Sequence, residues 1–317
     1  MPQSLIPIVA NPASGGGKGR KIVGALEEAL RARGYPFRTY LTRGPGQAGG
    51  LALEAVASGA EALLVVGGDG TVHEVANGLV GSQASDGPPG AQRLPPMALV
   101  PVGTGNDFHR MVGSAKGAAA AVDLLARGRA VPFEVGRAHW PGGSRYFVNL
   151  AGVGVDVEVL KRRAAFSHLP GLSQYLAALL SAVTRFRPAA FRMEVGHDGE
   201  VMEHATLLTA VTVGPSVGGG FLLSPDARPD DGLLDFFSAE DLSLPRLARY
   251  IPKVIRGTHA SVEGIHMRQV TRVRISSADD TPFYFELDGE LMPHAVPWLE
   301  IQVQPAALPV LVPEGRP

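Results

Sequence analysis

Asp69 stands inside VVGGDGTVHE, residues 65–74, with glycines at 67, 68 and 70 around it and a helical pattern following. NPASGGGKGR (11–20) and PVGTGND (101–107) share its character: each follows an apolar run, and the second embeds Thr104, Asn106 and Asp107 among glycines. Glycine at a strand end lets backbone N–H groups approach a ligand closely, and helix N-termini favour anions. Three such loops predict a phosphate cradle. Asp69 could simply cap the helix that begins near Thr71, a role worth roughly 1 kcal/mol. A cap needs no three glycines around it. A carboxylate amid phosphate-binding amides repels phosphate unless a cation lies between, so Asp69 points to Mg²⁺ carried by a nucleotide.

The elements that must position these residues alternate. Strands are predicted over 4–11, 37–42, 62–66 and 97–102, with helices over 18–33, 46–58 and after Thr71. This alternation predicts a parallel sheet with helices on both faces, which binds ligands at the carboxyl ends of its strands. Residues 81–95, GSQASDGPPGAQRLP, read as an exposed loop. Beyond about residue 130, VPFEVGRAHW, SRYFVNLAGV, FRMEVGH, EHATLLTAVTVG, LLDFFSA, TRVRISS and FYFEL predict a mostly antiparallel β domain. Helical stretches near 171–186 and 244–256 interrupt it. The boundaries read as 1–130 for the α/β domain and 131–299 for the β domain, with 300–317 returning to the first.

Other templates fit poorly. Lys18 is followed by Gly19, not Ser or Thr, so GGGKGR is no Walker A loop. GVGVDV (152–157) lacks the third glycine of a dinucleotide fingerprint. GPSVG (214–218) matches a nucleophile elbow around Ser216, but no helical pattern follows it. The histidines show no metal-ligand spacing.

NPASGG, GGDGTVHEVANGL, PVGTGNDF and LDGE, in this order, resemble the diacylglycerol kinase catalytic family, and most of all its soluble bacterial lipid kinases. The likeness runs from Asn11 to the final LVP, and GGDGT followed by GTGND is its most specific part. It implies a phosphofructokinase-like α/β domain, a C-terminal antiparallel β-sandwich and an active site in the cleft. It implies ATP and Mg²⁺ as cofactors and a membrane lipid as acceptor. Asn11, Thr42, Gly67, Gly68, Asp69, Gly70, Thr71, Val72, His73, Thr104, Asn106 and Asp107 would then serve the nucleotide. Glu290 would be the general base on the lipid hydroxyl, with Asp288 beside it and Asp69 as the third catalytic group. Asp231, with backbone carbonyls of Arg228 and Leu233, would hold a structural Mg²⁺; an acidic turn leading into a strand is the plainer reading. The family's usual Asp before the Val-Gly after the linker is Glu134 here, a longer side chain. A second DGE at 198–200 reads as a hairpin tip, and only the family motif favours Glu290 over Glu200.

The resemblance leaves the acceptor open between diacylglycerol, phosphatidylglycerol and a long-chain base. GTGND and LDGE weigh against a soluble-substrate kinase of the NAD-kinase type, and Asp69 with Glu290 against a non-catalytic nucleotide-binding regulator. A net charge of −1 over 317 residues gives no pull toward nucleic acid, and the absence of cysteine excludes disulfides and thiolate chemistry. No secretory signal or apolar span is read, so the expected location is the cytoplasm, peripheral at the inner membrane face, with a homodimer compatible. Residues 161–192 hold six basic residues and no acid around the apolar stripe of Leu172, Leu176, Leu179, Leu180 and Val183. Two readings stand: a helix packed on the β domain, or a segment docking on anionic membrane.

Overall fold

The computed structural model describes residues 4–57, 59–84, 94–169, 171–196 and 199–315. Most of the loop read over 81–95, and Asp198 of the second DGE, lie outside them. The chain forms two compact units, Met1–Phe133 with Ala306–Pro317, and Glu134–Pro305.

The first unit is the α/β one. Its strands are β1 (Ile6–Ala10), β2 (Phe37–Leu41), β3 (Leu63–Gly67) and β4 (Met97–Pro101). Its helices are α1 (Ser14–Ala32), α2 (Ala48–Val56), α3 (Asp69–Ala84), α4 (Asp107–Val112) and α5 (Ala118–Arg127). β1 pairs in parallel with β2 and β3, and β3 with β4. Fully paired parallel strands are apolar throughout, and β1 and β3 are buried at every position. Ile8, Ala10, Leu64 and Val66 face Val23, Leu26 and Leu30 of α1 and Ala121 and Val122 of α5. The 3.6-residue period of α1 delivers those side chains in line, and truncating fully buried Leu26 to Ala would cost about 2–5 kcal/mol. By strand alternation Val9 and Val65 take the opposite face, where α2 packs on β1 and α3 on β3. α2 and α3 approach closely through Gly49 and Gly78, where a Cβ on Gly78 would lie 2.5 Å from the Gly49 carbonyl oxygen.

The second unit is mainly antiparallel. Its strands are β5 (Arg129–Trp140), β6 (Gly143–Phe147), β7 (Leu150–Gly154), β8 (Ala189–Val195), β9 (Glu200–Thr212), β10 (Leu234–Glu240), β11 (Ile265–Val270), β12 (Arg272–Ser277), β13 (Glu286–Leu287), β14 (Glu290–Leu291) and β15 (Trp298–Val312). The helices α6 (Val155–Arg163), α7 (Gly171–Val183) and α8 (Leu244–Arg256) interrupt them. β9 pairs with β8 over its first half, with β7 over its second, and with β10. β15 pairs with β12 at its start, and its residues from Ala306 on belong to the first unit, where Val310 pairs in parallel with Met97 of β4.

FYFEL differs from the sequence reading, and α6 has no counterpart in it. FYFEL is not a continuous strand: only Glu286–Leu287 joins a ladder, while Phe283 bridges Val296. VDVEVLKRR alternates like a strand yet forms α6, entered from Gly154 at φ 113. Asp156 and Glu158 in its first turn and Lys161, Arg162 and Arg163 in its last match the helix dipole.

α7 supports the packed-helix reading of 161–192. Ala178, Leu179 and Ala182 bury against Val155 and Val159 of α6 and Leu207 of β9. Leu180 alone of the described stripe stands out, at 57% exposure. Lys161 and Arg162 both pair with Glu158, just outside the acid-free segment, so part of its positive charge is neutralised at source.

Candidate active site

In the first unit the glycine loops interlock at the carboxyl ends of three adjacent strands. After β1, Gly15, Gly16 and Gly17 take left-handed φ of 59, 68 and 88 before the right-handed helix runs on. A Cβ on Gly15 would lie 2.2 Å from the Val102 carbonyl oxygen of the loop after β4. A Cβ on Gly103 would lie 2.7 Å from the Cα of Gly68, after β3. Only glycine permits these approaches, and they bring the three loops together.

Asp69 opens α3 and is more than a cap. Its Oδ1 accepts a hydrogen bond from the Phe108 N–H at 3.2 Å, tying the loop after β3 to α4. Its Oδ2 lies 2.8 Å from where a Gly105 Cβ would be. GGDGT and GTGND are thus two halves of one arrangement. Asn106 sits left-handed at φ 53, donates through Nδ2 to the Gly103 carbonyl at 2.5 Å, and keeps a buried Oδ1 without a hydrogen-bond partner. Asp107 is buried and pairs with Arg110 at 2.7 Å. Asn11 holds its own loop, accepting from the Ala13 N–H through Oδ1 and from Ser14 through its carbonyl. Gly70 and Thr104 are exposed, Thr71 and Val72 buried. His73 is fully buried beside Asn77, so its side chain belongs to the interior of α3. Thr42 is buried at the end of β2, and its N–H bonds Ala10. Glu74, which the sequence reading passed over, accepts the Gly46 and Ala48 N–H groups at 2.8 Å each and so fixes the loop after Thr42. Lys18 is exposed on α1.

In the second unit the LDGE residues form a tight turn between β13 and β14. Asp288 is left-handed at φ 50. Its Oδ1 accepts the Asn149 and Leu150 N–H groups at 2.8 and 2.9 Å, and its Oδ2 accepts Val148 N–H at 2.8 Å. Asp288 therefore clamps the turn to the start of β7. Glu290 is partly exposed and pairs through Oε2 with Arg145 Nη2 of β6 at 2.9 Å. Glu286 accepts the Gly289 N–H at 2.6 Å. It lies fully buried beside Asp156, and burial followed by the Asp156 charge pushes the Glu286 carboxyl well above the ordinary range. Burial likewise raises Asp156 to about 7. Gly152 makes room for this acid pair: a Cβ there would lie 1.8 Å from Asp156 Oδ2. Beside the turn is a pocket of about 410 Å³ with Leu160 and Leu291 as apolar walls, Lys161 and Arg163 as cations, and Gln174 and Gly289 between.

The turn 224–235 gathers acids. Asp231 Oδ1 accepts the Leu233 N–H at 3.0 Å and Oδ2 accepts from Gln269 at 3.1 Å. Burial, then Asp231 and Asp226, raises Asp235 to about 7. Burial, opposed by a hydrogen bond from Gly232, raises Glu134 to about 7. Asp235 Oδ2 and Glu134 Oε1 are buried without a hydrogen-bond partner. Unpartnered carboxylate oxygens beside Asp231 fit a hard divalent cation. Glu134, with its longer side chain, is part of this cluster.

Ser216 is buried, its carbonyl accepting from Asn149, and the residues directly after it form no helix. Glu200 starts β9, exposed and paired with Arg268. The sequence reading missed Arg145, Glu286 and Asp156, because their partners lie far off in sequence.

The chain matches the diacylglycerol kinase catalytic domain over residues 6–138 and the YegS C-terminal NAD kinase beta sandwich-like domain over 149–312. A diacylglycerol kinase of Mycobacterium tuberculosis (strain CDC 1551 / Oshkosh) is 30% identical over 97% of this chain and 95% of its own length. A protein of Xanthomonas euvesicatoria named "Probable lipid kinase YegS-like" is 32% identical over 91% of this chain and 90% of its own. A solved structure described as a diacylglycerol kinase from Bacillus anthracis superposes with a TM-score of 0.72, covering 98% of this chain and 97% of that one at 22% identity. At that identity the likeness speaks to the fold, which is an α/β unit of parallel strands and an antiparallel β-sandwich unit.

Proposed function

The chain belongs to the diacylglycerol kinase catalytic family, and on that premise we propose that it transfers the γ-phosphoryl of ATP to the hydroxyl of diacylglycerol. The observation that carries this reading is Asp69 set among three interlocked glycine loops, an arrangement suited to phosphate and its metal. Backbone at Gly67, Gly68, Gly70, Thr71 and Val72 and in the loop 103–107 would cradle the phosphates, with Asn11, Thr42 and Thr104 lining the nucleotide and His73 contributing only backbone. Mg²⁺ bound with ATP would neutralise the phosphate oxygens, and Asp69 is the carboxylate that would hold it. Glu290 would take the proton as the acceptor oxygen bonds to phosphorus and the bond to ADP breaks. Arg145 would orient Glu290, and Asp288 would hold the turn that carries it. A structural Mg²⁺ at Asp231, with carbonyls of Arg228 and Leu233, would neutralise the acids of its turn.

A lipid acceptor is supported by the pocket beside Gly289 and Leu291, whose lining combines apolar Leu160, Ala164 and Leu291 with basic side chains. Among the described residues no helix is long and apolar enough to cross a membrane. The substrate would then be met at a bilayer surface, with Arg163 as the cation beside the pocket, since Lys161 is paired with Glu158. The test presents diacylglycerol, phosphatidylglycerol and a long-chain base, each in mixed vesicles, with γ-labelled ATP. Label is expected mainly in phosphatidic acid; label in another lipid product would reassign the acceptor while keeping the kinase.

A further inference from the structure

On strands β9, β10 and β11, His204, Glu240 and His266 come together although 62 residues separate the outer two in sequence. One donor atom from each lies within 4.8 Å of the other two. The imidazoles stack at 5.2 Å between centroids, 29° apart, and His266 Nε2 is 2.9 Å from Glu240 Oε1. His204 Nε2 is 2.9 Å from Ser238 Oγ. We propose that His204, His266 and Glu240 form a binding site for a Zn²⁺-class ion, distinct from the magnesium chemistry of the kinase.

The donor chemistry selects the ion. Two imidazoles and one carboxylate suit zinc, whereas Mg²⁺ demands oxygen ligands. Two donors on a tetrahedral ion about 2.1 Å away sit roughly 3.4 Å apart, so a small side-chain adjustment closes the triad. The Ser238 hydroxyl holds one His204 nitrogen, the kind of outer contact that fixes a ligating imidazole. The placement gives the site a purpose. β11 pairs with β10 alone among the described strands, and an ion shared by His204 and His266 would pin that edge to β9 across β10.

The test is zinc titration of the purified, chelator-stripped full chain, with Co²⁺ as a spectroscopic stand-in and Mg²⁺ as control. One Zn²⁺ per chain is expected, with a rise in melting temperature that Mg²⁺ does not reproduce, and Co²⁺ should show tetrahedral absorption bands. His204→Gln and His266→Gln keep a hydrogen-bonding side chain and should melt, without metal, near the parent. Each should weaken Zn²⁺ binding at least ~10-fold and abolish the Co²⁺ bands. Absence of saturable uptake by the parent chain, or unchanged uptake by both variants, overturns the proposal.

Discussion

Arg145 reaches across from β6 to within 2.9 Å of Glu290 Oε2, so the carboxylate proposed as general base is held by a cation from another strand. Both side chains are about one-third exposed, at 32% and 38%. An ion pair in that setting contributes little to stability, about 0–1 kcal/mol. Its value lies in orientation. Arg145→Met should therefore lower kcat about 10-fold with little change in the KM for ATP or in melting temperature, and Arg145→Lys should recover part of the loss. A change confined to melting temperature would make the pair merely structural.

Gly103 and Gly68 touch through their backbones, and a methyl group at Gly103 would lie 2.7 Å from Gly68 Cα and 3.0 Å from Asn106 Oδ1. Gly103→Ala must spread the loops. It should weaken ATP binding at least ~10-fold, measured calorimetrically, while the chain stays folded. Gly81→Ala is the control: among the described residues outside its own helix no atom lies within 4 Å of its added Cβ, and alanine in a helix should stabilise by about 0.5–1 kcal/mol. Equal ATP affinity for the two variants would count against the cradle.

Asp231 sits beside two buried carboxylate oxygens that lack hydrogen-bond partners, Asp235 Oδ2 and Glu134 Oε1. Millimolar Mg²⁺ without nucleotide should raise the melting temperature of the parent chain, since a ligand of the folded state stabilises it. Asp231→Ala should lose that rise. If the variant responds as the parent does, the turn holds no metal through Asp231.

The buried pair of Asp156 and Glu286 sets a pH dependence. Both carboxyls are raised by burial, Asp156 to about 7. The folded chain therefore retains protons that the unfolded chain releases from about pH 4 upward. Stability from Asp156 is fully present below that range and declines as pH rises through about 7, and the raised Glu286 acts in the same direction. Asp156→Asn should flatten the fall in melting temperature between pH 5 and pH 8, on the order of those limits, and raise it at the alkaline end. Parallel profiles for the two proteins would contradict the assignment.

The α/β unit was legible because its strands and helices are contiguous and periodic, and because GGDGT and GTGND end neighbouring strands. Asp69 was legible as chemistry, but not its bond to Phe108, which joins residues 39 apart. α6 was hidden because Val155, Val157 and Val159 alternate like a strand, and its helix is decided by Gly154 and by charges placed at its ends. Arg145 carries no local signal, since it meets Glu290 only once β6 and the 288–290 turn are in place. His204 and His266 looked unremarkable for the same reason. Spacing along the chain finds ligands on one helix or turn, and these stand on separate strands.

The central claim is phosphoryl transfer with Glu290 as base, and the chain supplies its own control in a second DGE. The decisive measurement is single-turnover transfer from γ-labelled ATP to diacylglycerol vesicles by the parent, Glu290→Gln and Glu200→Gln, with ATP affinity measured alongside. Glu200 is exposed at the start of β9 and bound by Arg268, so Glu200→Gln should transfer at nearly the parent rate. Glu290→Gln keeps the shape and loses the base, and its rate should fall by about 100-fold or more with ATP affinity little changed. Transfer by Glu290→Gln at the parent rate, or a collapse in Glu200→Gln instead, would contradict the account.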